Sequence, residues 1–204
     1  MTPLRFYAAR LMRNEAMLAK LSVPQPELLA DLRGRSVALV GNARSLVDGS
    51  NGPAIDAHDR VIRVNRAPMP APDSHGTRTD WLGLAVRLGA RDRARIAPGR
   101  ILWMSPKRKR LDWAAASSPG FYLHPQADVQ ALADRLGAPP STGAMLIDLA
   151  LRSDLARLTL FGFDFFASRS LTGSRTAEQV PHDFAAEAAW VRDLQATDPR
   201  LSIA

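Results

Sequence analysis

No cysteine occurs among the 204 residues, so no disulfide staples this fold and no thiolate does chemistry in it. That absence fits a reducing compartment. Aromatic residues make up only 6% of the chain, and nowhere do they alternate with basic residues as a single-strand nucleic-acid platform requires. No stretch approaches the ~20 apolar residues of a membrane span. The opening Met1-Thr2-Pro3-Leu4-Arg5 lacks the apolar core of a secretory signal. Neither a GxGxxG run nor a P-loop GKS or GKT is present, which removes the dinucleotide and nucleoside-triphosphate fingerprints. A nicotinamide-dependent oxidoreductase therefore has fold analogy alone behind it. There is no D-x-D carboxylate pair either, and this argues against a metal-held nucleoside diphosphate.

What is present is an ordinary globular composition, 46% hydrophobic and 23% charged, long enough for one medium domain with a substantial core. The net charge of +7 and the pI near 10.9 invite a nucleic-acid reading. Yet the arginines are scattered, and only Lys107-Arg108-Lys109-Arg110 forms a dense run. That run reads either as a solvated loop or as a contact for anionic lipid headgroups or an acidic glycan.

From Leu4 to Leu21 apolar residues recur at helical spacing among Arg5, Arg10, Arg13 and Lys20. The pattern predicts one amphipathic helix packed on the domain, with membrane-surface attachment as the second reading; Pro24 and Pro26 close it. Residues 1–30 thus form a helix and linker, and residues 31–204 the main domain. In that domain Ser36–Val40, Asp59–Val64, Trp81–Leu84, Arg100–Met104, Gly120–Leu123 and Leu158–Phe161 read as strands, the last named being the final one. Helices are expected over Ala127–Leu136, from Ser141 to Leu151 (apolar nearly all round, so buried) and over Phe184–Gln195. Short strands alternating with helices predict a Rossmann-like, doubly wound, mostly parallel α/β sheet in a single domain. Polar, glycine-bearing 167–180 reads as a mobile loop or lid.

Three constellations carry chemistry. Gly41 and Asn42 stand where the first strand stops, and Asn65 ends the next one. Glycine admits a close ligand approach, and an asparagine amide offers a donor and an acceptor to a base edge or a ribose hydroxyl. Either asparagine alone would read as a turn residue; the pair at adjacent strand ends favours a site. Ser141-Thr142-Gly143 follows two prolines and opens a helix, so it is a cap, an anion site, or both. Without a glycine-rich loop the phosphate load is modest, consistent with a nucleoside monophosphate. Third, Val180-Pro181-His182-Asp183-Phe184-Ala185-Ala186-Glu187 opens the last helix. A histidine beside a positive helix end suits a proton acceptor. Glu187 is five positions on, roughly 140° around the helix, so it is expected to brace backbone or ligand rather than to orient His182. Of the other histidines, His58 reads as structural, and His75 and His124 as satisfied surface or core residues.

Together VALVGNARSL, IDAHDRVIRVNRAP and GTRTD, then PPSTGAMLIDLAL and LTLFGFD, then HDFAAE resemble the long, short and very short sialylmotifs of glycosyltransferase family 29. The likeness runs from about Val37 to Glu187. It implies a GT-A-like variant of the Rossmann sheet and an inverting, metal-independent transferase that needs no cofactor. Gly41, Asn42, Asn65, Ser141, Thr142, Gly143 and Gly162 would bind a CMP-sugar donor, and His182 would be the general base. The donor would carry sialic acid or a related ulosonic acid such as Kdo, and the acceptor would be a glycan or glycolipid; no specific nucleic acid is implied. Two departures stand out. Family members join the long and short motifs by a disulfide, which this chain cannot form. Members also carry a histidine- or tyrosine-rich stretch before the very short motif, whereas 165–179 contains neither residue; Arg169 and Arg175 are the replacements offered for the donor phosphate. Without the anchor and stem of animal members, the implied picture is a minimal, bacterial-type, cytoplasmic enzyme, peripheral at the inner face of the membrane. A non-catalytic nucleotide- or glycan-binding module is the alternative, and a basic nucleic-acid-binding domain a more distant one.

Overall fold

Seven strands, β1 (Ser36–Val40), β2 (Arg60–Val64), β3 (Trp81–Leu84), β4 (Arg100–Trp103), β5 (Tyr122–Leu123), β6 (Arg157–Phe161) and β7 (Leu201–Ile203), form one sheet ordered β5-β4-β3-β2-β1-β6-β7. Every neighbouring pair is parallel. The computed structural model describes residues 1–164 and 181–204. Arg169, Arg175 and the whole of the proposed lid, 167–180, lie outside the described residues.

Ten helices are described: α1 (Pro3–Leu11), α2 (Glu15–Ala19), α3 (Gln25–Ala30), α4 (Gly52–Asp56), α5 (Pro72–His75), α6 (Ala90–Ile96), α7 (Trp113–Ala116), α8 (Gln126–Leu136), α9 (Thr142–Leu151) and α10 (Phe184–Thr197). They cover both faces of the sheet, as buried parallel strands require. Val37 and Leu39 of β1 point to the face covered by α3, α8, α9 and α10, where the largest cluster of buried side chains lies. Ala38 and Val40 alternate to the other face, under α4. Farther along that face, α1, α2, α6 and α7 pack around Trp103 and Phe121. Helix α9 is buried from Thr142 to Ala150, in keeping with its apolar circumference. The architecture is the Rossmann-like doubly wound sheet expected from the sequence.

Four details differ from the sequence reading. The N-terminal helix is two helices, because Arg13 turns left-handed (φ 54) and Asn14 caps a new start by accepting from the Met17 N–H at 3.0 Å. Pro24 and Pro26 open α3 rather than closing a helix, since proline suits a first helical turn. A seventh strand, β7, follows Pro199 and pairs with β6. In the basic run Arg108 is only 4% exposed. It donates to the Ser105 and His124 carbonyls at 2.7 and 2.6 Å and pairs with Glu15 at 3.1 Å.

The long motif is shared between the two edges of the sheet. Its IDAHD and GTRTD parts meet at the amino-terminal edge, opposite the carboxyl ends of the strands. There Asp56 accepts from the Thr77 N–H and hydroxyl and the Arg78 N–H. Burial pushes the Asp56 carboxyl up, but these donors together hold it below its ordinary value. His58 bridges the Ala54 carbonyl (2.8 Å) and Thr159 Oγ1 (3.1 Å); the carbonyl can only accept, so Nδ1 carries the proton and Nε2 accepts from the hydroxyl. His75 is wholly buried, bonded to Ser74 Oγ at 2.8 Å, and burial with nearby Arg63 lowers its pKa. Burial lowers that of His124 to about 4.

Candidate active site

Connections from β1 to β5 progress outward in one direction, and the chain then returns to place β6 on the other side of β1. The carboxyl ends of β1 and β6 therefore flank a topological switch point, where open α/β sheets form their ligand crevice. VGN, VNR, FGFD and the start of α9 all lie at this edge.

Gly41 is held between the two strand ends: its N–H donates to the Phe161 carbonyl at 2.8 Å, and the Ala43 N–H reaches the Gly162 carbonyl at 3.2 Å. A Cβ on Gly41 would collide with the Gly162 carbonyl oxygen and sit 3.1 Å from the Phe163 ring. Gly162 itself is left-handed (φ 66). The same Phe163 ring closes on Gly143, where a Cβ would come within 2.7 Å of it. Two of the glycines predicted to line the donor site thus let one aromatic ring knit β1, β6 and α9 together. The Gly41→Ala variant is expected to lose about 1–3 kcal/mol of stability, read from urea unfolding, because backbone rather than a mobile side chain blocks the methyl. An unchanged midpoint would mean that the β6 end moves freely.

The asparagines do separate jobs. Asn42 Nδ2 donates to the Val64 carbonyl at 3.2 Å, which fixes the amide, while its Oδ1 is buried with no partner among the described residues. An orphaned buried acceptor costs free energy unless a ligand donor meets it. Asn65 adopts φ 54, a conformation asparagine tolerates better than most residues. Its Oδ1 accepts from the Ala85 N–H at 2.9 Å, and its Nδ2 reaches toward Thr142 Oγ1 at 3.5 Å. Asn65 thereby joins β2, the end of β3 and the N-terminus of α9.

At that N-terminus Ser141 is the cap, its Oγ accepting from the Ala144 N–H at 3.1 Å. The Ser141 N–H and hydroxyl both donate to Glu187, at 2.6 and 2.7 Å. Glu187 is 3% exposed, and burial raises its pKa against the lowering pull of Ser141. With Ser141 engaged, the first-turn groups left for an incoming anion, among the described residues, are the N–H groups of Thr142 and Gly143 and the Thr142 hydroxyl.

His182 precedes the helix it was expected to open. Asp183 is the actual cap of α10, accepting from the Ala186 N–H at 2.9 Å. The His182 ring packs edge-on against Phe184, and its Nδ1 lies 2.8 Å from the Pro139 carbonyl oxygen. Because a carbonyl only accepts, Nδ1 carries a proton, and in the neutral ring the lone pair is on Nε2. His182 and Glu187 thus grip the same short segment, Pro139–Ser141, from one helix start. Sequence reasoning missed this pairing, as it missed the closure of Phe163 on Gly41 and Gly143; each links residues distant in the chain. Among the described residues no group of three histidine or acidic side chains is placed to hold a metal ion.

The family model for glycosyltransferase family 29 (sialyltransferase) matches residues 3–86. Over 34 residues the chain is 56% identical to the mouse (Mus musculus) CMP-N-acetylneuraminate-beta-galactosamide-alpha-2,3-sialyltransferase 1, a match spanning 17% of this chain and 10% of that enzyme. A mammalian sialyltransferase solved in complex with Gal-beta-1-3GalNAc-ortho-nitrophenol is similar over 100% of this chain and 86% of its own, with TM-score 0.64 and 19% identity. A second mammalian sialyltransferase structure is similar over 88% of this chain and 77% of its own, with TM-score 0.62 and 19% identity. At that identity the structural likeness is one of fold.

Proposed function

We propose that this chain, which is sialyltransferase-like and of the glycosyltransferase family 29 type, moves sialic acid or a related ulosonic acid such as Kdo from a CMP-sugar to a glycan hydroxyl. Transfer proceeds with inversion and without a metal ion or other cofactor. The observation that carries the reading is the docking of His182 and Glu187 on one loop at the start of α9, which sets an imidazole beside a helix N-terminus.

In this reading Nε2 of His182 takes the proton of the acceptor hydroxyl as its oxygen bonds to the anomeric carbon. The bond from that carbon to the phosphate oxygen breaks, and CMP departs with the electron pair. The Thr142 and Gly143 N–H groups meet the donor's negative charge, worth most where water is excluded. The unpartnered Asn42 Oδ1 accepts from a ribose hydroxyl or an exocyclic amine of the nucleotide. Arg169 and Arg175 are assigned to the donor phosphate on sequence grounds alone.

Calorimetric titration with CMP, with and without EDTA and with UDP and NAD as controls, tests the reading. Micromolar CMP binding indifferent to EDTA is expected, with CMP released from CMP-sialic acid or CMP-Kdo in a donor screen. Absence of CMP binding would sink the proposal at its base. Binding without release from any CMP-sugar, even with glycan acceptors, would favour a non-catalytic module.

A further inference from the structure

The apolar stripe of α1 faces outward. Leu4, Tyr7, Ala8, Leu11 and Met12 recur at the i, i+3, i+4, i+7, i+8 spacing of one helix face, and all five are exposed, Leu4 by 80%, Leu11 by 85% and Met12 by 69%. The inner side of the helix is satisfied separately: Phe6 and Ala9 are buried, with Phe6 set against Trp113 at 5.5 Å between ring centroids. Arg10 ties the helix down by donating to the Leu111 carbonyl at 2.7 Å. The outward stripe is thus a second face, left over once packing on the domain is complete.

The charge around it is mainly positive. Residues 1–14 contain Arg5, Arg10 and Arg13 and no acidic residue. Leu11 and Arg13 line one cleft of about 490 Å³ together with Lys107, Lys109 and the acidic Glu15. Lys107, Lys109 and Arg110 are exposed, whereas Arg108, the member of that run with an acidic partner, is turned inward to Glu15. A protein groove for a helix supplies apolar holes at fixed spacing. An apolar stripe whose border is mainly cationic, with Glu15 taken up by Arg108, fits instead an interface that is apolar below and anionic above at every point along it.

We propose that α1 and the Lys107–Arg110 turn form a docking surface for an anionic lipid bilayer, with the stripe seated at the headgroup–acyl boundary and the cations among lipid phosphates. The surface lies on the carboxyl-terminal edge of the sheet, because the Lys107–Arg110 turn follows the carboxyl end of β4. The crevice opens on the same edge, three strands away.

Vesicle co-sedimentation of the full chain decides the matter. The expected result is partition onto phosphatidylcholine vesicles containing phosphatidylglycerol, weakened by salt, and none onto phosphatidylcholine alone. A Leu4→Asp, Leu11→Asp variant should lose at least about tenfold in partition, and Lys107→Ala, Lys109→Ala and Arg110→Ala about fivefold each. All these side chains are exposed, so circular dichroism should show unchanged unfolding. Failure to bind phosphatidylglycerol vesicles overturns the proposal. So does binding that the leucine variant leaves intact, which would reduce the surface to ionic attraction. Concentration-dependent self-association abolished by the leucine variant would reassign the stripe to a second copy of the chain.

Discussion

Replacing His182 by alanine is expected to lower transfer by about 10²–10⁴-fold, the range typical of a lost general base, while CMP binding stays intact. Among the described residues the ring meets the start of α9 through the Pro139 carbonyl, so on the proposed reading nucleotide affinity has no strong dependence on it. A change to glutamine removes the basic nitrogen but keeps some bulk, and its transfer should fall as far as that of the alanine variant. Partial recovery of the alanine variant by added imidazole would tie the loss to proton transfer rather than to a displaced loop. The informative failure is an alanine variant that transfers normally, for then the paired docking of His182 and Glu187 is architecture and not catalysis. Loss of CMP affinity in step with transfer would equally reassign His182 to donor binding.

How much of this arrangement could be read from sequence depends on the range of the forces involved. Val37–Val40 is a continuous apolar segment ended by glycine, and Leu158–Phe161 is one broken only by Thr159; both suit a buried parallel strand. Leu201-Ser202-Ile203 is too short to show a period, so β7 was hidden. The break at Arg13 has no glycine to announce it, although Asn14 before Glu15 carries a capping signal. Periodicity revealed the apolar face of α1 but not which way it points, since a period says nothing about what a face meets. The basic run concealed Arg108 for the same reason, its partners Glu15 and His124 being remote in sequence. At the site, strand ends and the α9 cap were legible because they are local features. The attachments of His182 to Pro139 and of Glu187 to Ser141 span more than forty residues and become visible only in three dimensions.

Removing the Glu187 carboxylate tests that second attachment, and its charge makes the outcome depend on pH. In Glu187→Ala the Ser141 N–H and hydroxyl lose their shared acceptor in a buried place, which should cost about 1–3 kcal/mol of stability, read from urea unfolding. Transfer should fall with it, because the segment carrying the Pro139 carbonyl no longer holds His182 in place. Glu187→Gln separates charge from shape. Burial raises the pKa of Glu187 in the folded chain despite the Ser141 bonds. Its contribution is therefore fully present below the ordinary carboxylate value and is lost as pH climbs through the raised folded value. A glutamine imitates the protonated acid, accepting from the Ser141 N–H and donating to the hydroxyl oxygen, and it does not titrate. The stability difference between wild type and Glu187→Gln should accordingly shift in favour of the variant as pH rises from the acid side toward neutrality. A difference that stays flat across this range, or an alanine variant as stable as wild type, would show that the carboxylate is not under the strain its burial implies. If the glutamine variant is the more stable at neutral pH yet the poorer transferase, then a buried charge is kept at this helix end at a cost to the fold. That trade is expected at a working site.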